Sequence, residues 1–211
     1  MRRVDPFLLR KLIPSEEFDY TLLCGVLSAY SGVRQKIHEL LEAGVILRVK
    51  KGLYVFGSDY ARGPVCREVI ANWIYGPSCI SLEYALSHHG FIPEQVYTVT
   101  SVTPKRDKAF ATPLGSFTYR YLRPSCYPHG IEQVWIDSEH PTLMASPEKA
   151  LCDYVVLRDL PALTRVEDAR EFLRSDLRID PLLWSKFNTN NLAKLNTYYQ
   201  SQSIEQICGA L

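Results

Sequence analysis

The stretch from residue 31 to residue 56 constrains the fold more than any other part of this chain. Ser31 reads as the cap of a helix running to Ala43, and Gly44 sits where a left-handed residue ends it. The chain then alternates through Val45-Ile46-Leu47-Arg48-Val49, turns at Lys50-Lys51-Gly52 and returns as Leu53-Tyr54-Val55-Phe56. A plain hairpin would more often carry Asn-Gly or Asp-Gly at its turn. Here the turn and its edge carry three cations, Arg48, Lys50 and Lys51.

The residues before this run supply two more helices. Asp5-Pro6 combines an N-cap with a proline at the first helical position, and Pro14 forbids continuation of the helix through Phe7, Leu8, Leu9, Leu12 and Ile13. Asp19 caps a second, short helix through Leu22, Leu23 and Val26. About four residues, Leu27 to Tyr30, connect it to the third. Two helices joined by a tight turn are the helix-turn-helix arrangement, and the basic hairpin after them reads as a wing. On the third helix Val33, Ile37, Leu40 and Leu41 form one apolar stripe. The opposite face carries Ser31, Arg34, Gln35 and His38, side chains able to reach base edges. A polar face is also what any solvated amphipathic helix shows, so it is the wing that turns this reading toward DNA. Arg48, Lys50 and Lys51 would lie against phosphate or in the minor groove. The expected DNA contacts are therefore Ser31, Arg34, Gln35, His38, Arg48, Lys50 and Lys51.

Charge is distributed to match. Residues 1–57 hold nine Lys or Arg against six acids, a net +3 in a chain whose total is +1. With 211 residues, 46% of them apolar and 22% charged, the chain can bury a core without staples. Six cysteines are 13 to 56 residues apart, too far for a zinc ribbon or a redox pair, and read as small hydrophobes in a reducing cytosol. No apolar run approaches the roughly 20 residues of a membrane helix, and Met1-Arg2-Arg3-Val4-Asp5-Pro6 lacks the apolar core of a signal peptide. A cytoplasmic protein is expected, with no membrane partner.

The second region, residues 61–211, reads as a mixed α/β domain with a helical tail from about residue 164, so that the whole is α+β. Residues 57–64 look like a linker. Cys66 to Tyr75 has a helical pattern, and Ser78-Cys79-Ile80-Ser81 reads as the start of a helix ended by Gly90. Val96 to Val102, Phe117 to Tyr121 around a Thr112-Pro113-Leu114-Gly115 turn, Gly130 to Ile136 and Pro141 to Met144 favour strands. Ser146-Pro147-Glu148 opens a helix through Leu157. Candidates for catalysis are weak. Glu83, His88 and His89 lack metal-ligand spacing, and the histidines suit the end of a helix before Gly90. Glu148-Lys149 are adjacent at a helix start, unlike a nuclease strand, while Asp137, Glu139 and His140 sit on an expected loop. No catalytic residue, metal site or cofactor is expected. A nuclease whose winged helix delivers DNA is the competing reading, and a pure protein-interaction module a third.

Four segments in this order resemble a known family. They are Lys51-Gly52-Leu53-Tyr54, Ile80-Ser81-Leu82-Glu83-Tyr84-Ala85-Leu86-Ser87-His88-His89-Gly90, Val96-Tyr97-Thr98-Val99-Thr100-Ser101-Val102, and Ser146-Pro147-Glu148-Lys149-Ala150-Leu151-Cys152-Asp153. Together they are similar to the AbiEi family of antitoxins, across about residues 18–160. The resemblance implies a repressor that binds inverted repeats in the promoter of its own operon. It also implies that the C-terminal region counters a nucleotidyltransferase-type toxin without a stable complex.

Overall fold

The computed structural model describes residues 3–158 and 160–211; Met1 and Arg2, part of the basic N-terminus, lie outside that range. The chain is α+β, with a three-stranded and a six-stranded sheet among the described residues. Asp5 accepts the Phe7 N–H at 2.9 Å and Pro6 opens α1 (Pro6–Leu12). A three-residue strand, β1 (Glu17–Asp19), follows. Asp19 then caps α2 (Tyr20–Val26), accepting the Leu22 N–H at 2.7 Å. Next come α3 (Val33–Glu42), β2 (Ile46–Lys50) and β3 (Leu53–Phe56). These strands are antiparallel in the order β1-β3-β2.

The expected Ser31 cap is corrected here. The residue flanking α3 is Gly32, at φ 73° and ψ 52°, and no side chain caps the helix. The short link from α2 reverses direction at a left-handed residue, which glycine adopts without steric cost, so Ser31 is left exposed one position too early. Gly44, at φ 67°, ends the helix as its sequence position suggests. The linker is tied down rather than loose. The Glu16 carboxylate accepts the N–H groups of Arg62 and Gly63, and Arg10 donates to that same carboxylate.

The remaining chain forms α4 (Arg67–Ile74), β4 (Cys79–Ile80), α5 (Leu82–His88), β5 (Val99–Thr103), β6 (Lys108–Thr112) and β7 (Gly115–Tyr121). It continues through β8 (Ile131–Trp135), β9 (Pro141–Ala145) and α6 (Pro147–Leu157). The sheet order is β6-β7-β5-β4-β9-β8. Residues 78–81 do not start a helix. Cys79 and Ile80 are fully buried in the centre of the sheet, pairing antiparallel with β5 and parallel with β9, and only Ser81 flanks α5. The strand expected from Val96 begins three residues later, at Val99. The tail holds α7 (Val166–Glu171), a π-helical turn (Phe172–Asp176), α8 (Pro181–Trp184), α9 (Thr189–Tyr199) and α10 (Gln202–Ala210). Side chains cap two of these helices: Asp180 accepts the Leu182 N–H and Asn188 the Asn191 N–H. Through α9 the tail packs on α6, and α10 packs on α7 and α9.

Two apolar cores result, and β3 serves both. Phe18, Ile46, Tyr54 and Phe56 join the core of α1–α3. Val49, Leu53 and Val55, from the other face of the same small sheet, join the core built on the six-stranded sheet. Alternation along β3 sends successive side chains to opposite sides, which is how four residues feed two cores.

Candidate nucleic-acid interface

The structure brings three of the expected site residues together. Arg34 from α3, Arg48 from β2 and Lys51 from the β2–β3 turn line one cleft of about 690 Å³, with Tyr20, Ile37, Gly52 and Tyr54. Its lining includes three cations and no carboxylate. Arg48 and Tyr54 are cross-strand partners, and the Arg48 guanidinium carbon stands 6.0 Å from the Tyr54 ring centre. Gly52 turns the hairpin at φ 87°, and its carbonyl accepts the Tyr20 N–H at 2.9 Å. That bond ties the start of α2 to the hairpin turn and fixes one wall of the cleft. Tyr20 and Tyr54 were not singled out from the sequence. The alternation of β3 could have suggested Tyr54, but nothing local marks Tyr20.

Ser31, Gln35 and His38 are exposed beside the cleft and do not line it. His38 pairs with Glu42 one turn along, at 3.1 Å. Lys36, on the same helix, is buried, and its bond to Glu39 at 2.7 Å holds that carboxyl below its usual range. Lys50 departs furthest from expectation. One extra residue of β2 between Arg48 and Lys50 shifts the pairing register, a bulge that re-aims the side chain after it. The Lys50 ammonium donates to the Ile74 carbonyl at 2.5 Å and stands 5.5 Å from the Phe110 ring centre, away from the cleft.

A larger groove, about 730 Å³, lies between β5, β7, α5 and α6. Its lining mixes both signs, setting Arg120 and Arg158 against Glu83, Glu94 and Asp176, and Arg158 pairs with Glu83. The cleft at α3 has no such compensation and is the better site for an anionic partner.

The groups weighed for catalysis are dispersed. Burial, then the neighbouring His89, pushes His88 down, while His89 contacts the Ala145 carbonyl at 2.9 Å. Glu148 accepts the Asn188 N–H at 2.9 Å. Lys149 and Asp153 are wholly buried with Tyr199 and Ser81: Lys149 donates to the Tyr199 hydroxyl at 3.0 Å, and Ser81 and Tyr199 donate to Asp153. Among the described residues no group of three His, Cys, Asp or Glu side chains could hold a metal ion. No described helix is long and apolar enough to cross a membrane. No protein-family model matches this chain, and no curated protein matches it.

Proposed function

We propose that the N-terminal region, expected at residues 1–60, is a winged helix-turn-helix and that the chain is a sequence-specific transcriptional repressor. One observation carries this reading: the cleft between α3 and the β2–β3 turn gathers Arg34, Arg48 and Lys51 with no carboxylate in its lining. The order of elements, with two helices joined by a short turn and followed at once by a basic hairpin, supports it. On this reading α3 enters the major groove, where Arg34 suits guanine and Gln35 adenine, with Ser31 and His38 alongside. Arg48 and Lys51 lie against phosphate or reach the minor groove.

The second half of the proposal is that the same protein is an antitoxin of the AbiEi type. It acts in the cytoplasm, silences its own operon at inverted repeats and counters a nucleotidyltransferase-type toxin without forming a stable complex. Its support is the ordered set of four sequence segments. Two of those segments meet in the fold, where Ser81 bonds to Asp153 at 2.6 Å.

A mobility-shift assay with the duplex upstream of the protein's own gene tests the first half. Preference for that duplex over random DNA, fading as salt rises, is expected; equal binding to both overturns it. Co-expression with the nucleotidyltransferase-type protein encoded beside it tests the second. Rescue of growth without co-purification is expected, and no rescue overturns it.

A further inference from the structure

Lys50 leaves the cleft to join cations that the sequence reading passed over. Tyr75, just after α4, and Phe110 on β6 have ring centres 6.1 Å apart. Three ammonium groups stand over these two rings. Lys50 is 5.5 Å from Phe110, Lys108 is 5.7 Å from Phe110 and 5.3 Å from Tyr75, and Lys105 is 5.5 Å from Tyr75. Arg106, exposed between the two lysines of this loop, adds a fourth cation. Among the described residues none of the four pairs with a carboxylate; the one acid in the loop, Asp107, is drawn instead to Arg120 at 3.1 Å and to the Tyr121 N–H at 2.6 Å.

We infer that Lys50, Lys105, Arg106 and Lys108 form a second contact surface for the sugar–phosphate backbone of duplex DNA, flanking the stretch read by α3. Four gathered cations repel one another. Cation–π contacts, each worth about 0.5–1 kcal/mol at exposed sites, and carbonyl acceptors hold the three lysines in place. Lys50 donates to Ile74 and Lys105 to Gly76, each at 2.5 Å. What the arrangement lacks is an anion, and a duplex offers one negative charge per roughly 1.7 Å of its axis. Lys50 is the chain neighbour of Lys51, which lines the cleft, so one hairpin turn sends a cation to each of the two surfaces. Lysines contribute point charges rather than the bidentate forks that read bases. The surface is built from a loop and hairpin edges, with no helix to enter a groove.

Single-stranded nucleic acid is disfavoured by the rings themselves. Single strands bind where aromatic faces are free for bases to stack. Here Tyr75 and Phe110 pack edge-on or tilted against each other and against the buried Tyr119, and the cations cover them.

This inference rests on the DNA-binding reading, and its test separates the two. Affinity of the full chain for a promoter duplex with flanks on both sides is measured by fluorescence anisotropy over a series of salt concentrations. Replacing Lys105, Arg106 and Lys108 by alanine together should weaken binding to all sequences alike. The log–log salt slope should become shallower by about 2 to 3, at roughly 0.9 per lost phosphate contact. The ratio of promoter to random affinity should stay as it was. Lys108→Gln, which keeps an aliphatic stem over the rings, should reduce the slope by about 1. Arg34→Ala should show the opposite pattern, losing preference with little change of slope. An unchanged slope in a variant that melts like the parent overturns the inference and leaves the DNA-binding reading intact. Loss of binding to single-stranded RNA with duplex binding unchanged also overturns it. Absence of duplex binding by the parent chain overturns both.

Discussion

Glu17 on β1 and His140 at the β8–β9 turn pair at 3.1 Å, joining the small sheet to the large one. The other ring nitrogen of His140 meets Asp137 at 2.6 Å. Burial alone would push His140 down; the bond to Asp137 and the negative charge of Glu17 reverse this and leave it raised. Burial raises Glu17 as well, against the opposing charge of His140. Glu139, Glu16 and Cys66, whose thiol burial pushes up to about 12, complete the surroundings. A residue group expected on a solvated loop thus becomes a strut between the two parts.

The sign of the pH effect follows. A histidine raised in the folded state contributes stability that is full below its unfolded value, about 6.5. That stability is lost as pH rises through the higher folded value. A raised Glu17 also favours the folded state toward acid pH, so both groups act in one direction. Thermal melts should therefore show a falling Tm as pH climbs through and above neutrality, and His140→Gln should flatten that part of the profile. A parent Tm that is level across the same range would contradict this.

The buried quartet of Ser81, Lys149, Asp153 and Tyr199 predicts a large stability effect. Lys149 and Asp153 lie one turn apart on α6, both with no exposed surface. Removing one member of a buried pair strands the other, at a cost of about 3–5 kcal/mol. Asp153→Ala should lose that much in urea denaturation. Lys149→Met with Asp153→Leu should recover most of it, because no charge is then stranded.

On the repressor reading, the two classes of cation in the cleft should separate by assay. Arg34→Ala should erode discrimination at one base position by about 1–3 kcal/mol. Lys51→Ala should weaken every duplex alike and lower the salt slope by about 1. Measuring both variants on the promoter duplex and on single-base mutants of it gives the comparison.

Gly57 offers a test of close packing. A Cβ placed there would lie 2.0 Å from the Gly44 carbonyl oxygen, a backbone atom that cannot swing aside. Gly57→Ala should cost about 1–3 kcal/mol by overpacking, read as a lower denaturant midpoint. Alanine at Gly63, where nothing lies within 4 Å, should be close to neutral.

What could be read in advance was local. Asp5-Pro6, Asp19 and Ser146-Pro147 each cap a helix through a bond to a residue two or three positions away, so their signals lie inside a short window. β1 could not be read, because three residues have no periodicity and become a strand only by pairing Glu17 with the distant Val55. The same holds for β4, whose two residues are a strand because β5 and β9 flank them. Arg34, Arg48 and Lys51 line one cleft. Lys50 does not, because one bulged residue changes the direction of the next side chain, and a bulge leaves no mark in a run of alternating residues. The Lys105–Lys108 surface was invisible for a related reason: it exists only where Tyr75 and Phe110 meet.

Strand β3 is buried along all four residues, with Tyr54 and Phe56 in one core and Leu53 and Val55 in the other. A partition shared in this way cannot swivel like a hinge without opening both chambers. On the repressor reading, each copy would then carry its reading head at a fixed angle to its own tail. Two copies on an inverted repeat would act as rigid callipers. Separating the half-sites by half a helical turn would place the second copy on the opposite side of the duplex, and no bending within the protein would bring it back.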